Sequence, residues 1–280
     1  MAQSDLDWTI HLMRAGYAGR GLAYLSVAGV SLWTIWQGGS ASGPSEVFSD
    51  LSRSTLGDLL LGLIAVGMLA YCVWRLVCAV FDLEDHGNSP KGIIARVAQG
   101  VTGLLHLLIG AVAIIAAFSV DESDDGGGSI DEVVSAVLSA PLGRYAVMGA
   151  GAITICAGLY YFYKAVSRSY QDHLESNPVT QHLNYVLEAG IAAQGIAISI
   201  IGGLLSLAGW RAQAQQAGGL GEVFDTLSSQ LYGQIFVTGL CVGLLAFALF
   251  CFVNAAYRSV PKLSHGNIET LGAWAKAQTS

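Results

Sequence analysis

Residues 15–29 read AGYAGRGLAYLSVAG, and residues 189–203 read AGIAAQGIAISIIGG, so that Gly21 aligns with Gly195. A weaker middle copy, RVAQGVTGLLHLLIG, spans residues 96–110. Similarity at a fixed period is typical of a protein built from copies of one unit. The sequence therefore predicts three structural repeats, and the small residues in each copy predict close contact between helices.

A second block repeats in the same order. The stretches SEVFSDL, DEVVSAVL and GEVFDTL place three glutamates in one column, and each glutamate precedes a glycine by the same interval. The glutamates are Glu46, Glu132 and Glu222, and the glycines are Gly57, Gly143 and Gly233. Apolar residues recur at helical spacing in each block, and Ser129 with Glu132 has the form of a capping box. We expect three short amphipathic helices at the outer membrane interface.

The composition indicates an integral membrane protein. Of 280 residues, 53% are hydrophobic and only 12% are charged. Six stretches are long enough to cross a hydrocarbon core, which requires about 20 mainly apolar residues in a helix. They are residues 17–36, 59–81, 97–120, 145–163, 189–210 and 232–257.

The distribution of basic residues predicts the orientation. Ten of the thirteen lysines and arginines lie at the ends that a model with both termini in the cytosol places inside, as the positive-inside rule requires. The remaining three are Arg53, Arg144 and Arg211. We therefore expect a multi-pass protein of the bacterial inner membrane with cytosolic termini. The net charge of −7 gives no basic surface for nucleic acid, so no nucleic-acid partner is predicted.

These patterns predict an all-α membrane protein with six transmembrane helices, arranged as three parallel two-helix repeats with pseudo-threefold symmetry. The repeats would occupy residues 1–90, 91–180 and 181–262, followed by a cytosolic tail at 263–280. Because the odd-numbered spans carry the glycine-rich stretches, we expect them to form an inner ring. Aromatic residues near the cytosolic ends of the even-numbered spans predict outer helices that face lipid.

Several of these motifs resemble a known family. The first repeat opens with RAGYAGRG at residues 14–21, PLGR stands at residues 141–144, and YCVWRL ends the second span at residues 71–76. In this respect the chain resembles the bacterial multi-pass membrane family called domain of unknown function 1206. The resemblance covers nearly the whole chain. It implies a bacterial inner-membrane protein, with no known activity and no known catalytic residues.

Ionisable and polar residues within or beside a span are candidates for function, because burying them in lipid is costly. His106 lies in the middle of the third span, and a cluster of charged residues lies near the cytosolic ends of other spans. This cluster, with Gln194, could form a ring that binds a lipid phosphate or another acidic ligand. A simpler interpretation, in which each side chain extends to the headgroups, is favoured over the ring. The charged members are Arg14, Arg20, Arg75, Lys164 and Glu188.

Other site chemistries find less support. His86, His173 and His265 follow the three repeats, but flexible polar loops rarely form a metal site, so neither a metal nor a cofactor is predicted. No catalytic motif occurs, and we expect a non-enzymatic protein. It would bind a lipid or another apolar ligand, with membrane lipids as its partners, or serve as an accessory subunit of a membrane protein complex. The alternative is a small-solute or ion transporter or channel.

Overall fold

A computed structural model describes residues 8–118, 130–260 and 270–279. These residues are almost entirely helical. The helices are α1 (Trp8–Trp36), α2 (Pro44–Leu51), α3 (Thr55–Phe81), α4 (Pro90–Phe118), α5 (Ile130–Leu138), α6 (Gly143–Val166), α7 (Pro178–His182), α8 (Asn184–Arg211), α9 (Leu220–Ser228), α10 (Gly233–Tyr257) and α11 (Leu271–Thr279). Short 3-10 helices occur at Ser169–His173 and Ala214–Gln216.

Five helices in the described part of the chain are long and apolar enough to cross a membrane, namely α3, α4, α6, α8 and α10. The first predicted span lies in α1, which is 29 residues long but is less apolar than these five. Arg20, together with several glycines and serines, lowers its hydropathy. The protein is therefore a multi-pass helical membrane protein with five helices of spanning character and one long helix that contains a buried arginine.

Each repeat has the predicted order of a long helix, a short helix and a second long helix. The column of glutamates has a local structural role, because Glu46 and Glu222 each accept a hydrogen bond from the backbone N–H of the residue that precedes their short helix, at 2.7 Å. Such a bond satisfies an N–H that the helix itself cannot pair. Ser129 and the side chain of Glu132 lie outside the described residues.

The column of glycines also has a structural cause. A methyl group on Gly57 would collide with the carbonyl oxygen of Leu51, and one on Gly143 would collide with that of Val137. A methyl group on Gly233 would likewise collide with carbonyl oxygens at the end of α9. Only a residue without a side chain allows each short helix to end so close to the start of the next long helix.

The long helices follow one another around the molecule in chain order. Helix α1 packs against α3, α3 against α4, α6 against α8, α8 against α10, and α10 against α1. These interfaces are close: a methyl group on Gly19 of α1 would collide with the backbone of Gly67 of α3. Among the described residues, α4 and α6 do not pack against each other. The order of contacts thus has the form of a ring that is open between α4 and α6.

The prediction of an inner ring of odd-numbered spans is wrong. The first, third and fifth spans lie in α1, α4 and α8, which pack mainly against even-numbered spans, although Gln194 of α8 reaches Tyr24 of α1. The even-numbered helices α3 and α10 are among the most buried, whereas α4 and α6 are the most exposed. The glycines mediate contacts between odd-numbered and even-numbered spans. The small residues therefore predicted close helix packing correctly, but they did not predict which helices pack together.

Both ends of the bundle are covered. The side on which α1 begins and α10 ends, here called the termini side, is covered by Tyr170, Leu174 and Leu271, which are buried with residues of α1, α3 and α10. On the opposite side, α2 and α9 lie across the helix ends. Their Phe48 and Phe224 are fully buried in a second apolar cluster.

Candidate functional site

Arg20 lies in the middle of α1 and is only 3% exposed. Its two terminal nitrogens donate hydrogen bonds to the hydroxyls of Tyr71 of α3, at 3.3 Å, and Tyr161 of α6, at 3.5 Å. Its guanidinium lies 4.9 Å from the ring centre of Phe247 of α10, a cation–π contact. Among the described residues, no carboxylate forms an ion pair with it. Arg20 is thus a buried cation held by aromatic groups alone.

Three buried polar atoms around Arg20 have no hydrogen-bond partner among the described residues: Nε of Arg20 itself, Nε2 of His106 and Oε1 of Gln194. His106 uses its other ring nitrogen, which lies 2.7 Å from the carbonyl oxygen of Thr102, and its ring lies 4.7 Å from that of Tyr71. Nε2 is therefore an acceptor when the ring is neutral.

Gln194 belongs to the same site. Its Nε2 donates to the hydroxyl of Tyr24 at 2.8 Å. The Arg20 cluster is defined as Arg20, Tyr24, His106, Tyr161 and Gln194. It combines one unpaired donor with two unpaired acceptors. Most buried polar atoms in proteins are paired, so three unpaired atoms in one cluster indicate a place for a polar ligand.

A second cluster lies closer to the termini side, around Glu84 in the loop after α3. Oε1 of Glu84 accepts hydrogen bonds from Arg258 at 2.6 Å and from Arg75 at 3.4 Å. Oε2 accepts one from Gln99 at 2.7 Å and lies 3.6 Å from His86. These five residues form the Glu84 cluster.

The charge of Glu84 is well compensated, although its side chain is only 7% exposed. Burial alone would raise the pKa of this carboxyl, but the positive charges of Arg258 and Arg75 outweigh burial and hold the pKa well below its ordinary value. Glu84 therefore remains ionised and ties the end of α3 to the end of α10.

The two clusters meet at one hydroxyl. Tyr71 accepts from Arg75 at 3.0 Å as well as from Arg20 at 3.3 Å. Lys164 lies one turn after Tyr161 on α6 and is close enough to interact with the charges of Arg258 and Glu84, but it forms no ion pair in the described residues. In the described residues the two clusters and Lys164 thus hold four cations, Arg20, Arg75, Lys164 and Arg258, and one carboxylate, Glu84. This excess of positive charge inside a membrane bundle is suited to an anion.

A family model for the domain of unknown function 1206 (DUF1206) matches this chain three times, at residues 15–82, 97–168 and 189–258. The chain belongs to the DUF1206 family. The family match confirms the resemblance seen in the sequence and the presence of three repeats. It names no activity.

The DUF1206 protein is also similar to the uncharacterized protein YxxB of Bacillus subtilis (strain 168). The two are 25% identical over 260 residues, which cover 91% of this chain and 94% of the relative. No solved structure matches the chain.

The structure brings together five of the seven predicted site residues of the DUF1206 protein. They are Arg20, Arg75, His106, Lys164 and Gln194. The other two lie elsewhere: Arg14 is exposed, and Glu188 forms a partly exposed ion pair with Arg168 at 3.0 Å. The ring of charges predicted near the cytosolic ends of the spans therefore exists only in part. Its central residue, Arg20, lies deeper in the bundle than the sequence pattern suggested.

Sequence reasoning missed the residues that join the site together, namely Tyr71, Glu84, Gln99, Tyr161 and Arg258. Tyr71 precedes Arg75 by four residues, a spacing that places both on one helix face, and this signal could have been used. Glu84 and Arg258 gave no such signal, because each lies just beyond the end of a helix.

The histidines that follow the repeats do not form a common site in the described residues. His86 contacts the Glu84 cluster, and His173 lies in the 3-10 helix with an unpaired buried Nδ1. Burial and the positive charge of Arg258 lower the pKa of His173 to about 4. His265 lies outside the described residues. In the described residues, no three His, Cys, Asp or Glu side chains are close enough together to hold a metal ion.

Proposed function

We propose that this protein is a non-enzymatic, six-span protein of the bacterial inner membrane that binds an anionic ligand within the helix bundle, at the Arg20 cluster. One observation carries the proposal: in the part of the chain that the structure describes, Arg20 is buried without a carboxylate partner, beside unpaired polar atoms from two other helices. A charge in this position costs several kcal/mol of desolvation unless a counter-ion compensates it. A bound anion would supply that counter-ion.

The arrangement of equivalent residues supports a pseudo-threefold bundle. Arg20, Thr102 and Gln194 occupy one position of the repeat, and Tyr24 and His106 share another. These residues, taken from all three repeats, contribute to the same cluster. The contacts of α1 with α3 and α10 support its role as a sixth span, since both neighbours are strongly apolar. The basic residues on the termini side support cytosolic termini.

Native mass spectrometry of protein extracted gently from its own membrane tests the binding function. Arg20→Gln removes the buried charge, and Arg14→Gln is the matched control, because Arg14 is exposed on the same helix. We expect the wild type and Arg14→Gln to carry the same additional mass and Arg20→Gln to lose it. Size-exclusion chromatography establishes that the variants are folded. Retention of the mass by folded Arg20→Gln would refute the proposal.

The same spectra address the accessory role in a membrane complex. Other polypeptides that leave the membrane together with the protein would support that role. Transport is the alternative function, and movement of the identified anion across liposomes containing the protein would support it.

A further inference from the structure

Access to the Arg20 cluster along the bundle axis is closed on the side opposite the termini. Helices α2 and α9 cover this end, with Phe48 and Phe224 buried among residues of α3 and α10. The starts of the two short helices also lie close together, since a methyl group on Gly43 would meet the backbone of Gly221. A ligand entering here would have to displace this apolar cover.

The termini side is closed by packing, and its charged groups are already paired. A soluble anion arriving from this side would first meet the Glu84 cluster, in which the carboxylate already occupies the nearest guanidinium groups at 2.6 and 3.4 Å. Both guanidinium groups are therefore already paired. Because Tyr170, Leu174 and Leu271 are also buried across this end, the termini side offers no open path through the described residues.

The side of the bundle between α4 and α6 is open. The other five pairs of neighbouring long helices pack closely, and these two do not in the described residues. Only 22% of the most apolar stretch of α4 and 17% of that of α6 are buried, against 50% for α3. The exposed residues of both helices near the depth of the cluster are apolar or aromatic, such as Leu105 and Leu159. This opening suits an acyl chain and not a hydrated ion.

The depth of the cluster also suits a lipid. Tyr161 lies five residues before the end of α6, so its contact with Arg20 lies about 7.5 Å below that helix end. Lys164 lies one turn closer to that end, so in a bundle that spans the bilayer it lies nearer the headgroups than Tyr161 does. A headgroup could therefore interact with Lys164 at the surface and with Arg20 just below it.

We propose that the ligand of the Arg20 cluster is an anionic lipid from the leaflet on the termini side, which reaches the cluster laterally between α4 and α6. This inference rests on the anion-binding function proposed above and names its ligand class. The lipid phosphate accepts from Arg20, and headgroup hydroxyls donate to Nε2 of His106 and Oε1 of Gln194. A hydroxylated headgroup such as that of phosphatidylglycerol fulfils both requirements.

Site-specific photo-cross-linking in vesicles of equal parts phosphatidylglycerol and phosphatidylcholine tests the proposal. A benzophenone amino acid replaces exposed residues of α4 and α6 one at a time, and the matched control positions are Leu69 of α3 and Val242 of α10, which are exposed to a similar degree. The positions to be scanned are Leu104, Leu105, Leu108, Leu159, Tyr160 and Tyr163. We expect the ratio of phosphatidylglycerol to phosphatidylcholine among the cross-linked lipids to exceed the ratio in the vesicles about threefold or more at positions on α4 or α6, and to match it at the controls.

Two further variants connect this enrichment to the cluster. Arg20→Gln should return the cross-linked lipids to their bulk ratio, and Lys164→Gln should reduce the enrichment while leaving the deeper contact. Excess inorganic phosphate in the buffer should change nothing. Loss of the enrichment on adding phosphate would overturn lateral lipid binding in favour of a soluble anion.

The outcomes separate this inference from the binding function itself. Bulk lipid ratios at every position, together with a non-lipid mass that depends on Arg20 in native mass spectrometry, would overturn the lipid and leave anion binding intact. The absence of any mass that depends on Arg20 would overturn both.

Discussion

Arg75 and Arg20 donate to the same tyrosine hydroxyl, yet their surroundings differ. Arg75 has a carboxylate, since Glu84 lies 3.4 Å away and itself accepts from Arg258. Arg20 has only aromatic groups and hydroxyls in the described residues. The Glu84 cluster pairs its carboxylate with two guanidinium groups and joins helix ends, which favours a structural role, although Oε1 of Gln99 and Nε of Arg258 are unpaired in the described residues. The Arg20 cluster differs in that its buried charge has no carboxylate partner in the described residues, which is typical of a site that sacrifices stability for function.

The largest expected effect on stability comes from removing the carboxylate of the Glu84 cluster. Glu84→Gln leaves Arg75 and Arg258 buried without a counter-ion, which should lower the free energy of unfolding by about 3–5 kcal/mol. Thermal unfolding followed by circular dichroism in detergent measures the change. The control is Glu188→Gln, which removes the partly exposed pair with Arg168 and should cost about 0–1 kcal/mol. Equal shifts in the two variants would contradict a structural role for the Glu84 cluster.

The next effect depends on pH and arises beside Arg258. The pKa of His173 in the folded protein is about 4, below its ordinary value, so the unfolded chain takes up a proton first as the pH falls. Stability from His173 is therefore fully present above about pH 6.5 and is lost between about pH 6.5 and 4. We expect a loss of about 2 kcal/mol in that window, reduced from the full shift because the ring is partly exposed.

His173→Asn removes this titration and should flatten the dependence of the melting temperature on pH between these values. Glu84 adds a loss of its own only below about pH 5, where its carboxyl takes up a proton in the unfolded chain but stays ionised in the folded protein, because its pKa there lies well below its ordinary value. An unchanged slope in His173→Asn would assign the acid sensitivity to another group.

The opposite sign is expected at Arg20. Replacing a buried, unpaired charge by an apolar side chain of similar length should stabilise the delipidated protein, by about 1–3 kcal/mol for Arg20→Met. Arg14→Met, on the same helix but exposed, should change stability by less than about 0.5 kcal/mol. A lower melting temperature for Arg20→Met would mean that Arg20 holds the fold together and is not kept for a ligand.

The smallest effects concern the hydroxyls. Tyr71→Phe removes an acceptor shared by Arg20 and Arg75 and should cost about 1 kcal/mol. Tyr161→Phe removes only the 3.5 Å contact and should cost less. Comparison of the two melting temperatures, with and without added phosphatidylglycerol, shows how much each hydroxyl supports the site. A larger loss of stability for Tyr161→Phe than for Tyr71→Phe would mean that the main support of Arg20 comes from α6 and not from α3.

Much of the fold could be predicted from the sequence, because helix period and repeat period are both local signals. The short helices at Pro44–Leu51, Ile130–Leu138 and Leu220–Ser228 lie where the repeated blocks predicted them. The glycine column has one physical cause in all three repeats, a close approach between the end of the short helix and the start of the next long helix. The glutamate column has its cause in the first and third repeats, where the carboxylate accepts a backbone hydrogen bond at the start of the short helix. Such features need no knowledge of distant contacts.

The arrangement of the helices was harder to predict, because the same residue types serve two purposes. Aromatic residues such as Tyr71 and Trp74 suggested helices that face lipid, yet both are fully buried, since their rings pack against arginine side chains. Glu84 and Arg258 are separated by 174 residues and lie outside the spans, so no local pattern connects them. Their pairing follows only from the way the helix ends converge.

The position of Arg20 has a consequence for the number of sites in the molecule. In the second and third repeats the equivalent residues are Thr102 and Gln194, neither of which carries a charge. An assembly of three identical two-helix subunits would bring three guanidinium groups to one axis, and their mutual repulsion would oppose association. A single covalent chain escapes this constraint, because each copy can carry a different residue. The three repeats therefore supply one charged position, and the proposed ligand would bind once per chain.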